Sequence, residues 1–185
     1  PREQLTEALA TAREIRHEDY RARALAALAP NLPPGLLAEA LAAAREIRDE
    51  GYRARTLSAL APNLPSELLA EALAAAREIR DEYYCASALS ALAPNLPPEL
   101  LAEALAAARE IREEGVRARA LSALAPNLPS ELLSEALAAA REIGHEYARA
   151  DVLSALAPHL PREQLTEALA TAREIRHEDY RARAL

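Results

Sequence analysis

The chain has 185 residues and a net charge of −7; half of it (51%) is hydrophobic, yet aromatic residues make up only 3% and all are Tyr. The acidic balance disfavours a dominant phosphate-binding role, because nucleic-acid binders carry a basic patch or stripe, and no run of about 20 apolar residues is present to span a bilayer. The single cysteine, Cys85, excludes an intramolecular disulfide framework and suits a reducing compartment, so a cytoplasmic location is expected. With Phe, Trp and Met absent, the core must come from Leu, Ile and Ala, a composition that favours closely spaced helices. All 22 basic residues are Arg, which either reflects coding bias or exploits the planar, bidentate pairing of guanidinium with carboxylate. The chain opens on Pro without an initiator Met and reads as an excised piece.

Prolines recur in register at Pro1, Pro33, Pro65, Pro97, Pro129 and Pro161, and a second set follows at Pro30, Pro62, Pro94, Pro126 and Pro158. This spacing divides the chain into repeats 1–32, 33–64, 65–96, 97–128 and 129–160, with a partial repeat 161–185, in one array spanning residues 1–185. A fixed period in this range marks stacked units rather than a globule with one central core.

Within repeat 97–128, helical spacing of Leu100, Leu101, Ala104, Leu105, Ala108 and Ile111 predicts a long helix from about Pro98 to Glu113. Pro98 and Glu99 suit its first turn. Gly115 is expected to break the chain, and a shorter helix then runs from about Val116 to Ala125, ended by Pro126. Pro-Asn-Leu-Pro leads into the next unit. The expectation is an all-α fold, an α-solenoid of stacked antiparallel helical hairpins, wound as a tightly curved superhelix. Small outward positions on the second helix (Ser58, Ser90, Ser122, Ser154) place those helices on the concave side.

On a helical wheel, Glu103 and Glu110 share one flank of the first helix, while Arg109 and Arg112 lie towards the other. Stacking identical units in parallel brings these flanks together, so Arg–Glu pairs are expected across each junction. They set register more than stability, at about 0.2–1 kcal/mol per exposed pair.

The loop column His17, Asp49, Asp81, Glu113, His145, His177 reads as polar loop chemistry. On the second helix, Arg21, Arg53, Arg117, Arg149 and Arg181 sit near the apolar face and are read as bracing neighbouring carboxylates, with Cys85 in their place in repeat 65–96. Arg23, Arg55 and Arg119 point away from that face. They are the candidate partner-binding residues, together with Tyr20, Tyr52 and Tyr84, since Tyr and Arg are enriched among interface hot spots. Packing under the hairpin loop is the bland alternative for the tyrosines. The four histidines form no metal-ligand spacing on one helix face. Cys85 has no companion base, and no phosphate loop or nucleophile elbow occurs. No catalytic residue, metal or cofactor is therefore expected, and the chain is read as a non-enzyme.

A two-helix unit with ALAAAREIRDE followed by YRARALSALAP resembles the TPR- and HEAT-like α-solenoid repeats of bacterial proteins, along the whole chain. The resemblance implies a sensor array of the kind found beside signalling NTPases of the STAND class. The functional expectation is a protein-interaction scaffold or sensor binding a protein or peptide, with no nucleic acid and no membrane. The alternative is an assembly module that associates end to end. Residues 1–25 and 161–185 are identical, at an offset of five units, and neither end carries a dedicated polar cap.

Overall fold

The computed structural model describes residues 2–185. Helices come in pairs: α1 (Arg2–Glu14) with α2 (Glu18–Leu28), α3 (Pro34–Arg45) with α4 (Glu50–Leu60), α5 (Ser66–Arg77) with α6 (Glu82–Leu92), α7 (Pro98–Arg109) with α8 (Glu114–Leu124), α9 (Ser130–Arg141) with α10 (Glu146–Leu156), and α11 (Arg162–Arg173) with α12 (Glu178–Ala184). No strand occurs among the described residues. The fold is an all-α solenoid of stacked helical hairpins. It divides into two compact units, one ending at Asn95 and holding α1–α6, the other starting at Leu96 and holding α7–α12.

The hairpin differs from the sequence expectation in two respects. Its helices are nearly equal, 12 residues in α7 and 11 in α8. The first helix stops at Arg109 because Glu110 closes its last turn, its N–H bonding back to Ala106 and Ala108 carbonyls. Ile111, only 4% exposed, then anchors the loop into the core. Gly115 is no break either. It lies in the first turn of α8, and no glycine among the described residues has positive φ. The loop column supplies the actual start signal, an N-cap. Asp49 accepts from the Tyr52 N–H, Asp81 from Tyr83 and Tyr84, Glu113 from Gly115 and Val116, and His145 Nδ1 from Ala148. At the far end, Pro126 ends α8 as expected, and residues Ala125–Asn127 form a 3-10 turn that recurs in each complete repeat.

Small residues decide the packing. Within each unit the second helices make close backbone approach along a row, α2 to α4 to α6 and α8 to α10 to α12, while first helices touch their counterparts much less. The second helices therefore crowd together and the first helices splay. Alanines with no more than a methyl to bury, Ala54, Ala86, Ala118 and Ala150, sit at 3% exposure or less and permit this approach. Their size, not a shorter helix, is the cause. On the first helix the buried stripe is Leu101, Ala104, Leu105, Ala107 and Ala108, with Leu100 only half-buried.

Within each unit two devices tie a repeat to the next. The first is the expected ion pair: Arg13 to Glu39 at 3.3 Å, Arg45 to Glu71 at 2.8 Å, Arg109 to Glu135 and Arg141 to Glu167. All of these are solvated and worth little individually. The second was not foreseen. Within each unit, a glutamate that opens a second helix reaches into the following repeat and accepts two consecutive backbone N–H groups. Glu18 takes those of Arg48 and Asp49, Glu50 those of Arg80 and Asp81, Glu114 those of Gly144 and His145, and Glu146 those of Arg176 and His177, at 2.6–3.1 Å.

The Arg21 column braces these carboxylates, as its position on the wheel suggested. Arg21, Arg53 and Arg117 lie 3.4–3.9 Å from Glu18, Glu50 and Glu114 one turn earlier. The same guanidiniums donate to the carbonyls of Ile15, Ile47 and Ile111, and Arg149 donates to that of Ile143. One side chain thus holds the loop carbonyl of its own hairpin and the carboxylate that grips the next.

Backbone N–H donation is the leading cause holding these four glutamates below their ordinary protonation range, from Asp49 onto Glu18, Asp81 onto Glu50, Gly144 onto Glu114 and Arg176 onto Glu146. A depressed folded-state value means that the unfolded chain takes up protons first as pH falls. The contribution is complete above the unfolded value of about 4.3 and is lost as pH drops through the lower folded value. Urea titrations should therefore show stability falling from about pH 5 downwards, and Glu50→Gln with Glu114→Gln should lower stability at pH 7 and flatten that acid limb. An unchanged acid limb in the double variant would remove the glutamates as its cause. Leu105 is fully buried, so Leu105→Ala should cost about 2–5 kcal/mol in the same assay; a loss well under 1 kcal/mol would contradict the assigned core.

Candidate functional site

The row of second helices leaves a groove along its outer side in each unit. In the second unit it encloses about 910 Å³ between α8, α10 and α12, with Arg119, Ser122, His145, Tyr147, Asp151 and Arg183 among its lining. The corresponding groove of the first unit encloses about 490 Å³ between α4 and α6, lined by Tyr52, Arg55, Ser58, Tyr83, Tyr84 and Ser87 among others. The same repeat positions recur in both: small Ala and Ser residues on the floor, Arg and Tyr on the walls.

The expected partner-binding residues divide between these grooves. Tyr52, Arg55 and Tyr84 meet in the first and Arg119 lines the second. Tyr20 and Arg23 stand together on α2, the guanidinium 6.0 Å from the ring centroid and 2.9 Å from Asp19, but outside the α4–α6 groove. Packing under the hairpin loop does not describe the exposed tyrosines: Tyr20 is 59% and Tyr84 38% exposed. Of the histidines, His145 caps α10 and His159 is exposed in a turn. Cys85 is buried. Among the described residues no cluster of His, Cys, Asp or Glu could hold a metal, and no helix is long and apolar enough to cross a membrane.

A second tyrosine position escaped the sequence reading. Tyr83 and Tyr147 occupy the column in which the preceding repeats carry Gly51 and Gly115, so each groove pairs a bulky side chain with an absent one. At Gly51 an added Cβ would lie 2.9 Å from Tyr84 Cζ, so the Tyr84 ring would have to swing aside to admit a side chain. In the second unit, Asp151 stands where most repeats have Arg. Arg183 Nη2 lies 2.7 Å from its Oδ1 but off the direction of a good hydrogen bond, so this contact is mainly Coulombic. The same guanidinium donates to the Tyr147 hydroxyl at 3.3 Å and sits 5.1 Å from its ring centroid, a cation–π distance. Tyr147 meets Tyr180 edge-on, and Tyr180 stacks on His177. These contacts hold one wall of the groove upright.

The floors carry an unmet demand. Ser58 Oγ and Ser122 Oγ, at the same position two repeats apart, are buried atoms without a hydrogen-bond partner among the described residues. Ser90, between them in sequence, is satisfied by the Ala86 carbonyl at 2.7 Å. A buried hydroxyl left unpaired costs about 1–3 kcal/mol, and Ala is the stronger helix former. Ser58→Ala and Ser122→Ala should therefore be neutral or stabilising in thermal unfolding, against the usual destabilising trend of substitutions. A loss above about 1 kcal/mol would mean that these hydroxyls are satisfied in solution.

No protein-family model, curated protein or solved structure matches the chain. Its helical tandem-repeat architecture stands on the regular packing of neighbouring helices.

Proposed function

We propose that the chain is a non-enzymatic protein-interaction array, a scaffold or sensor module whose second-helix grooves receive an extended peptide segment. The observation that carries this reading is the pair of buried, unpartnered Ser58 and Ser122 hydroxyls on the floors of equivalent grooves. Selection for stability alone favours Ala there, whereas a peptide main chain offers each hydroxyl an amide partner. The walls suit the same ligand. Tyr52, Tyr84 and Tyr147 supply rigid apolar area, and Arg55 and Arg119 supply donors for carbonyl or carboxylate groups. Repetition of one set of positions along the row within a unit fits a ligand that runs across successive repeats of that unit. TPR- and HEAT-like sensor arrays are the nearest kind of protein in this reading, acting in the cytoplasm without cofactor, nucleic acid or membrane.

A peptide array probed with the whole chain provides the test. Ser58→Ala with Ser122→Ala should weaken the recovered peptides about two- to tenfold per lost hydrogen bond, without loss of stability. Arg23→Glu, Arg55→Glu and Arg119→Glu together should abolish the subset that carries acidic residues. Peptides that bind the serine and arginine variants as tightly as the parent chain would sink the groove reading.

A further inference from the structure

The two grooves share the character of their floors and differ in one column of charge. That column runs Arg23, Arg55 and Ser87 in the first unit, and Arg119, Asp151 and Arg183 in the second. Arg55 and Asp151 lie on the middle second helix of their units, α4 and α10, each with a repeat packed on either side. Their surroundings are those of a continuing array.

Arg55 is exposed and makes no ion pair among the described residues. The guanidinium before it in the column, Arg23, lies 2.9 Å from Asp19 on its own helix. The carboxylate that shares the groove with Arg55 is Asp49, and it is committed to capping α4 through the Tyr52 N–H at 2.9 Å. Tyr52, Tyr83 and Tyr84 line the same groove, and phenol hydroxyls can donate to an oxygen acceptor beside a guanidinium. The first groove is thus rich in donors and holds one positive charge without a counter-charge.

The second groove has the opposite sign at that position. Asp151, with a side chain 26% exposed, lies 2.7 Å from Arg183, and its helix packs between those that carry Arg119 and Arg183. A ligand carboxylate brought to Arg183 competes with Asp151 for the same guanidinium. One brought to Arg119 faces the Asp151 carboxylate from the neighbouring helix, about 8–10 Å away, which is close to one screening length at physiological ionic strength.

We propose that the grooves are not equivalent: Arg55 makes the first a receptor for an acidic side chain of the bound peptide, and Asp151 excludes that side chain from the second. This rests on the peptide-groove reading and adds to it which groove takes which ligand. One guanidinium matches one carboxylate through two parallel N–H···O bonds, whereas phosphopeptide recognition uses clusters of Arg. The occupant at Arg55 is therefore an Asp or Glu side chain. Main-chain contacts to Ser58 and Ser122 stay common to both grooves.

A random-sequence peptide array with its central residue fixed as Glu, Gln or phosphoserine, probed with the whole chain, tests it. The parent chain should retain Glu-centred peptides about two- to fivefold better than Gln-centred ones, the range of a solvated ion pair. Raising the ionic strength should shrink that margin, and Arg55→Gln should erase it. Ser58→Ala should weaken the Glu-centred set and Ser122→Ala should not. Moving the charge should move the preference. Arg55→Asp with Asp151→Arg should again favour Glu-centred peptides, now sensitive to Ser122→Ala and not to Ser58→Ala. Asp151→Asn, nearly isosteric and free of a like-charge contact with Arg183, should restore part of the margin in an Arg55→Gln background, with the fold checked by circular dichroism. A parent chain without Glu preference, or a preference that survives Arg55→Gln, would overturn the proposal. So would a phosphoserine preference that Arg55→Gln removes, because the ligand would then be a phosphopeptide. If the charge variants fail in this way while peptides still respond to Ser58→Ala and Ser122→Ala, the groove reading stands alone. Peptides indifferent to both serines remove the groove reading, and this proposal with it.

Discussion

A glutamate carboxylate that grips two successive backbone N–H groups of the next hairpin is the contact on which the regularity of this molecule rests. Leu and Ala burial supplies the favourable free energy of stacking, but apolar contact is non-directional and tolerates sliding. Two charge-assisted hydrogen bonds to adjacent amides do not. Glu18, Glu50, Glu114 and Glu146 fix where the following loop sits, and the arginine one turn later fixes the glutamate. The loop amides gripped in this way immediately precede a second helix that must be capped, so one carboxylate also orients the N-cap residue beside it. Helix initiation and inter-repeat register are thereby coupled at a single point.

The groove follows from the same arrangement. With loops held at constant spacing and Ala54, Ala86, Ala118 and Ala150 allowing close approach, the second helices of each unit form a row whose outer side is floored by small residues. Bulk at the rim then decides the shape of each groove, through the alternation of Gly51 with Tyr83 and of Gly115 with Tyr147. The scaffold is uniform and the rim is not. On the groove side the variation falls on the columns of Gly51, Tyr52 and Arg55, which shape the walls.

Much of this was legible in the sequence. The period, the hairpin, the Arg109–Glu135 type of pair and the bracing role of the Arg21 column all follow from spacing and wheel position, because they depend on helix geometry that repeats without exception. The helix ends were less legible. Gly115 looks like a break, yet Asp49, Asp81 and Glu113 cap the helix two residues earlier, and a favourable cap overrides the modest cost of glycine in a first turn. The gripping glutamates were hidden for a different reason. Their partners are main-chain amides 30 residues away, which carry no side-chain signature, and the invariance of the Glu column was shared by many purely surface positions. Tyr83 and Tyr147 were missed because their column alternates with glycine, a pattern that only the neighbouring ring of Tyr84 makes meaningful.

The clamp has an evolutionary consequence. Since its acceptor is one glutamate and its donors are backbone amides, a junction makes few demands on which repeat comes next. A repeat could be added or removed in a whole 32-residue step without redesigning an interface each time. Length becomes a heritable variable that can drift or be selected independently of the groove residues, much as the number of links in a chain can change without altering any link.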